Sequence, residues 1–259
     1  MDKPVIPTPL IREDPWIGLK SLTAARIALG RTGVAVPLRE VLAFRLAHAH
    51  ARDAVHTAWD TDVMIKELEP LSGYPVWVVN SQASDRFQYL QRPDKGRLLH
   101  SSSAALLENA NLPAGDIVLV IADGLSATAV QHHAAPLLRL LVPALKAEGF
   151  SMLPLVLVRQ GRVAIGDQVA ALLKARLSLL LVGERPGLTA ADSLGAYLTY
   201  APKPGLTDDN RNCVSNIRPR GLSYEDAASR LLHLVKEAFR KQISGVALKD
   251  TQQLPESGS

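Results

Sequence analysis

Ile117-Val118-Leu119-Val120-Ile121-Ala122-Asp123-Gly124-Leu125-Ser126 is the stretch that decides the fold. An unbroken apolar run rich in Ile and Val reads as a strand buried on both faces, and such strands belong to parallel sheets covered by helices. The run stops at Asp123-Gly124, and a long helical segment with Leu137, Leu140, Leu141 and Leu145 follows. The pattern then recurs. Leu153 to Val158 is a second apolar run, followed by Gly161-Arg162-Val163 and a short helix around Gln168 to Lys174. Leu177 to Val182 is a third, ending in Gly183-Glu184-Arg185-Pro186-Gly187. Strands alternating with helices across short loops imply right-handed crossovers, so the expected class is α/β with a parallel sheet.

Outward from this core, Ser223 with Asp226 three residues on forms a box-like helix start. Ala228, Leu231, Leu232, Val235 and Phe239 then make one apolar stripe. Upstream, Val76 to Val79 reads as a strand, and a helix is expected from Arg97 to Asn109. The stretch from Ser21 to about Asp60 reads as helices broken at Gly30 to Gly33. Its second helix opens at Pro37-Leu38, with Leu38, Val41, Leu42 and Ala49 at helical spacing. Pro4, Pro7, Pro9 and Pro15 make the first residues an extended lead-in. The expected organisation is a lead-in over 1–20, a mainly helical region over 21–110, the α/β domain over 111–248 and a polar tail over 249–259.

Composition bounds the function. A chain of 259 residues that is 47% apolar is large enough to bury a sizeable core. A net charge of +4 is too small for a polyelectrolyte nucleic-acid arm, although it permits a basic patch. The single cysteine, Cys213, cannot form an internal disulfide, which suits a reducing compartment. The start, Met1-Asp2-Lys3-Pro4, lacks a secretory apolar segment, and no apolar run is long enough to span a bilayer. A cytoplasmic protein that does not enter membranes is expected.

No phosphate loop, dinucleotide glycine turn, hydrolase nucleophile elbow or H-E-x-x-H pair is present. His48 and His56 fall about 80° apart on an ideal helix. His132 and His133 are neighbours, so they read as ordinary helix residues and no metal site is expected. Interest therefore moves to the loops at the carboxyl ends of the strands, where open parallel sheets bind ligands. Asp123 to Ser126 offers a helix cap. Gly161-Arg162-Val163 offers a tight turn, and Gly183 to Gly187 a directed carboxylate between glycines and a proline. Asn212-Cys213-Val214-Ser215-Asn216-Ile217-Arg218 reads as a loop whose amides, thiol and hydroxyl could bind a large amide-bearing ligand.

These segments, taken in order from about Thr23 to Gly245, resemble the small subunit of ethanolamine ammonia-lyase. The similarity includes Arg26 to Gly33, Arg92-Pro93-Asp94-x-Gly96-Arg97 and Asp123-Gly124-Leu125-Ser126. It is closest at Gly161-Arg162-Val163, Val182 to Leu188, Asp192-Ser193-Leu194 and Cys213-Val214-Ser215-Asn216-Ile217. The resemblance implies a Rossmann-like domain, preceded by helical elements, that clamps one side of adenosylcobalamin. It places cofactor contacts on Val163, Glu184 and Cys213, and puts the radical deamination of ethanolamine to acetaldehyde and ammonia on a separate large subunit. On that view this chain supplies no catalytic acid, base or nucleophile. It also implies an assembly of six copies of each subunit. The cobalt-ligating Asp-x-His-x-x-Gly motif of other cobalamin enzymes is absent, so base-on binding of the cofactor is expected. Some relatives carry a longer amphipathic start that directs them to a bacterial microcompartment. The proline-rich start here favours the cytoplasm, with encapsulation left to the large subunit or other components.

Two other readings follow from residues alone. Arg26, Arg31, Lys95 and Arg97 could serve a nucleic-acid module, although aromatics to interleave with them are scarce. The sheet crevice could also serve a stand-alone small-molecule transferase.

Overall fold

The computed structural model describes residues 11–249. The polar tail beyond Lys249 and the prolines at 4, 7 and 9 lie outside the described residues. The chain divides into two compact units, one comprising the chain up to Asp53 together with Gly187–Ala191, and the other Ala54–Pro186 with Asp192 onward.

In the first unit, a 3₁₀ turn at Ile17–Ser21 is followed by irregular chain and then by α1 (Leu38–His56), which continues into the second unit. Arg12 and Arg31 exchange backbone hydrogen bonds of 2.7 and 2.8 Å. The helix expected before Gly30 does not form. Ala28, Gly30 and Gly33 all take positive φ, and the pairing of Arg12 with Arg31 occupies backbone groups that a helix would use. Pro37 does open α1, its carbonyl accepting from Glu40 and Val41. The apolar face of that helix is not covered, because Leu38 and Leu42 stay exposed and Ala54 is its one buried residue.

The second unit is built on a six-stranded sheet in the order β1-β3-β2-β4-β5-β6. The strands are β1 (Trp77–Asn80), β2 (Gly115–Ala122), β3 (Val156–Arg159), β4 (Ala175–Gly183), β5 (Leu194–Tyr200) and β6 (Asn212–Ile217). β1, β3, β2 and β4 run parallel, while β5 and β6 are antiparallel to their neighbours. The fold is therefore α/β with a mixed sheet, which corrects the wholly parallel arrangement expected. The segment read as a loop at Asn212 to Ile217 is an edge strand. Its polar side chains suit an edge, where one side of the strand has no partner to pack against.

The helices are α2 (Thr61–Ser72), α3 (Arg86–Gln91), α4 (Ser101–Glu108), α5 (Ala127–Ala147), α6 (Ile165–Leu172) and α7 (Tyr224–Lys241). Successive residues of β2 serve opposite faces, as strand geometry demands. Ile117, Leu119 and Ile121 join the core under α2, α5 and α7, whereas Val118, Val120 and Ala122 join the core under α4 and α6. Burying these six side chains contributes on the order of 10 kcal/mol before chain entropy is subtracted. The stripe on α7 packs as its sequence indicates, and Ser223 caps it by accepting the Asp226 amide at 3.1 Å. On α5, Leu137, Leu141 and Leu145 are buried but Leu140 faces outward. The packing leaves the turns after β2, β3 and β4 side by side at the carboxyl edge of the sheet.

Candidate functional site

Those turns and α3 line a half-open crevice of about 390 Å³. Gly124 and Leu125 come from the turn after β2, and Arg162 and Val163 from the turn after β3. Val182, Gly183, Glu184 and Arg185 come from the end of β4, Tyr89 from α3 and Tyr197 from β5. The turns after β2 and β4 touch through backbone, the Leu125 amide donating to the Gly183 carbonyl at 2.9 Å. The turn after β3 is tied to the 3₁₀ turn Lys95–Arg97 by the Arg162 amide, which donates to the Gly96 carbonyl at 2.8 Å. Gly124 takes φ +56°, a conformation that favours glycine. The cap of α5 is Ser126, which accepts from the Ala129 amide at 3.2 Å, so Asp123 is not needed as a cap.

Of the three residues singled out for cofactor contact, Val163 and Glu184 line the crevice. Cys213 does not, but it pairs across the sheet with Tyr197, whose hydroxyl hydrogen-bonds its thiol. The Glu184 carboxylate is held in place rather than free. Its Oε2 accepts from the Ser193 hydroxyl and from the Asn216 amide at 3.3 Å. Gly195 leaves the room this requires, since a Cβ there would lie 2.9 Å from Glu184 Oε1. Desolvation pushes the Cys213 thiol up, and the nearby Glu184 carboxylate adds to the effect. The Cys213 thiol thus ionises less readily than a free cysteine, which suits packing better than nucleophilic attack. Burial likewise pushes Tyr197 up, with Cys213 and Glu184 contributing, so it stays a hydrogen-bonding phenol.

Tyr89 lies between two cations: the guanidinium of Arg162 is 4.3 Å from its ring centroid and that of Arg86 is 4.8 Å. Burial pushes its hydroxyl up to about 12, against the pull of Arg162 and Arg86. The sequence motifs contained Arg162 and Arg185 without marking them, because two arginines in turns look like solvated charge. Tyr197 was hidden because Gly195 and Ala196 interrupt the strand formers Tyr197, Thr199 and Tyr200 of β5, so no continuous strand run stands out. Cross-strand alternation with Cys213 is the cue that would have found it.

One cluster runs against the expectation for the histidines. His132, His133 and Asp192 bring one ligand atom each within 4.8 Å of one another, the one such group among the described residues. His133 is buried, with Nδ1 2.8 Å from the Tyr224 hydroxyl and Nε2 3.4 Å from Asp192 Oδ2. Desolvation pushes its pKa down while Asp192 pulls it up. The Tyr224 hydroxyl thus engages Nδ1, while Asp192 faces Nε2 next to the Ser193 that donates to Glu184. Among the residues of the nucleic-acid reading, Arg26 is engaged locally: it donates to the Glu40 carbonyl at 2.7 Å and lies 5.3 Å over the Phe44 ring.

A family model described as the ethanolamine ammonia-lyase light chain matches residues 13–249. The chain belongs to that family. It is 53% identical over 248 residues to the ethanolamine ammonia-lyase small subunit of Ralstonia nicotianae, covering 95% of this chain and 92% of the relative. It is 53% identical over 247 residues to that of Pseudomonas putida strain GB-1, at 94% and 89% coverage. Against that of Azotobacter vinelandii it is 52% identical over 241 residues, at 92% and 89% coverage. The light-chain match takes in every segment that lines the crevice. No helix among the described residues is long and apolar enough to cross a membrane.

Proposed function

We propose that this chain is the small subunit of an ethanolamine ammonia-lyase, a lyase active only with its large subunit, and that its crevice holds one side of adenosylcobalamin. The observation that carries the reading is the crevice itself, a half-open site at the carboxyl edge of the sheet in a member of the light-chain family. The residues present fit such a group. A corrinoid bears a ring of amide side chains, and the crevice pairs apolar walls (Leu125, Val163, Val182) with donors on Arg162 and Arg185 and an acceptor on Glu184. Because Oε2 of Glu184 is taken by Ser193 and Asn216, Oε1 is the atom that accepts a ligand N–H. Val163 supplies apolar surface, and Cys213 supports Tyr197 from the neighbouring strand as a packing group. In this reading Glu184 serves as a hydrogen-bond acceptor for the cofactor and this chain supplies no catalytic acid, base or nucleophile. This chain's part is to orient the cofactor and keep water from one side of it.

When bound, adenosylcobalamin supplies the radical chemistry of deamination, and the reacting centre lies on the large subunit. Base-on binding, an assembly of six plus six subunits and a cytoplasmic location, with encapsulation through other components, belong to the same reading. A crevice of about 390 Å³ cannot enclose a corrinoid, which supports a pocket completed by another chain. The apolar side chains left exposed over residues 11–53, among them Trp16, Leu22, Val34 and Leu38, support a chain that works within an assembly.

Equilibrium dialysis of adenosylcobalamin against the large subunit, this chain and their mixture tests the reading. Retention is expected only in the mixture. Equal retention by the large subunit alone would contradict a shared site. Glu184→Ala should weaken retention by roughly tenfold, the cost of losing one buried charge-assisted hydrogen bond, while the chain stays folded. Gly195→Ala should produce a similar loss, because its methyl drives the carboxylate from its place. Unchanged affinity in both variants would remove Glu184 from the site.

A further inference from the structure

Asp123 lies outside the crevice wall, buried directly behind it. It is 4% exposed, and its Oδ1 accepts the Gly161 amide at 3.1 Å. The amides of Gln160 and Gly124 also face the carboxylate, and Arg86 Nη1 lies 3.8 Å from Oδ2. Arg86 is itself locked: Nε donates to the Val55 carbonyl at 2.6 Å and Nη1 to the Gly124 carbonyl at 2.7 Å. Gly161 is held at its other end too, since its carbonyl accepts from the Tyr89 hydroxyl at 3.3 Å. Every group around Asp123 is a donor, so the position calls for a side chain that only accepts.

We propose that Asp123, braced by Arg86, is the positioning residue of the crevice: through Gly161 it fixes the turn carrying Arg162 and Val163 against the turn at Gly124. The inference rests on the crevice being the cofactor half-site. It adds a residue that shapes the site without touching the ligand. Asp123→Asn keeps the size but turns an N–H₂ toward a set of donors.

Titration separates this role from a merely structural one. Burial pushes Asp123 from its ordinary 3.8 up to about 6, against the pull of Arg86 and the surrounding amides. The other titratable or charged groups facing it are Arg86 and Tyr89 from α3, with Arg162 beyond the Tyr89 ring, and the Tyr89 hydroxyl, pushed up to about 12, keeps its proton over this range. Because the folded pKa is raised, the stability this group contributes is present below 3.8 and is lost as pH rises through about 6. Positioning has the opposite sign, since the ionised carboxylate is the form that meets the donors. Acidification should therefore loosen cofactor binding without this group weakening the fold.

The test uses the complex with the large subunit and measures adenosylcobalamin affinity by dialysis between about pH 5 and pH 8. The wild-type complex should lose roughly tenfold as pH falls through 6, and Asp123→Asn should be weak and flat across the range with its melting transition retained. A variant that binds like wild type, or keeps the wild-type pH profile, overturns the proposal. A second readout needs no cofactor: the Gly161 amide resonance of the ¹⁵N-labelled chain should titrate with a midpoint near 6. A flat Gly161 shift overturns the positioning role whether or not the complex binds adenosylcobalamin. A titrating Gly161 with no binding in the wild-type complex would instead sink the cofactor reading alone. Arg86→Gln, expected to weaken affinity in the same direction, covers the case in which Asp123→Asn does not fold.

Discussion

Gly183→Ala is expected to destabilise the chain by about 3 kcal/mol, the upper part of the range for overpacking a well-fitted site. Gly183 ends β4, and a Cβ on it would land on the Ser126 carbonyl oxygen and lie 2.7 Å from that of Asp123. Neither carbonyl can yield easily, because Ser126 is the cap of α5 and Asp123 directly follows the central strand β2. The contact is reciprocal: a Cβ on Gly124 would land on the Gly183 carbonyl, whose bond from the Leu125 amide would then be lost. Two backbones thus meet with no side chain between them. Gly18→Ala is the matched control, since a Cβ there meets nothing within 4 Å. Urea unfolding should show a lower midpoint for Gly183→Ala with an unchanged slope, and no shift for Gly18→Ala. Equal midpoints would mean that the turns are further apart than described.

Asp167→Ala should cost about 3 kcal/mol, because it removes the buried carboxylate from a buried cation and leaves it only the exposed Asp208 as counter-charge. Asp167, near the start of α6, pairs with Arg211 just before β6, and both side chains are almost wholly inaccessible. Arg211 also donates to Asp208 at 2.9 Å and to the Leu206 carbonyl at 3.0 Å, while its buried Nε has no hydrogen-bond partner. Burial pushes the Asp167 carboxyl up and Arg211 pulls it back, so the pair offsets its own desolvation rather than adding a large net gain. The consequence is non-additivity. Asp167→Leu combined with Arg211→Met should recover much of the stability lost in either single variant, as a double-mutant cycle would reveal. Strictly additive losses would show that the two residues do not act as a pair.

The parts of the fold that could be read from sequence are those where one face or both faces must be buried. The runs at Ile117 and Leu177 and the stripe from Ala228 to Phe239 have no stable alternative to burial, and they sit where their patterns indicate. β6 was misread because only Val214 and Ile217 of its six residues are buried, at a spacing of three that does not alternate, while Cys213, Ser215 and Asn216 carry a loop's composition. The uncovered face of α1 shows the converse error: helical periodicity marks a surface that wants a partner without saying that the partner is in the same chain. The turns of the crevice were legible because their glycines and short polar motifs stand at the ends of unmistakable strands. Asp123, Tyr89 and Tyr197 were not, since their roles come from pairings across 38, 72 and 16 positions that only the folded chain creates.

The central claim, that this chain completes an ethanolamine ammonia-lyase without performing its chemistry, is tested most directly by reconstitution. Acetaldehyde release from ethanolamine and adenosylcobalamin is measured for the large subunit encoded with this chain, alone and after this chain is added. Activity is expected only in the mixture, and it should fall with Glu184→Ala and Asp123→Asn at limiting cofactor. Full activity of the large subunit alone, or none in a mixture of two demonstrably folded chains, would contradict the account.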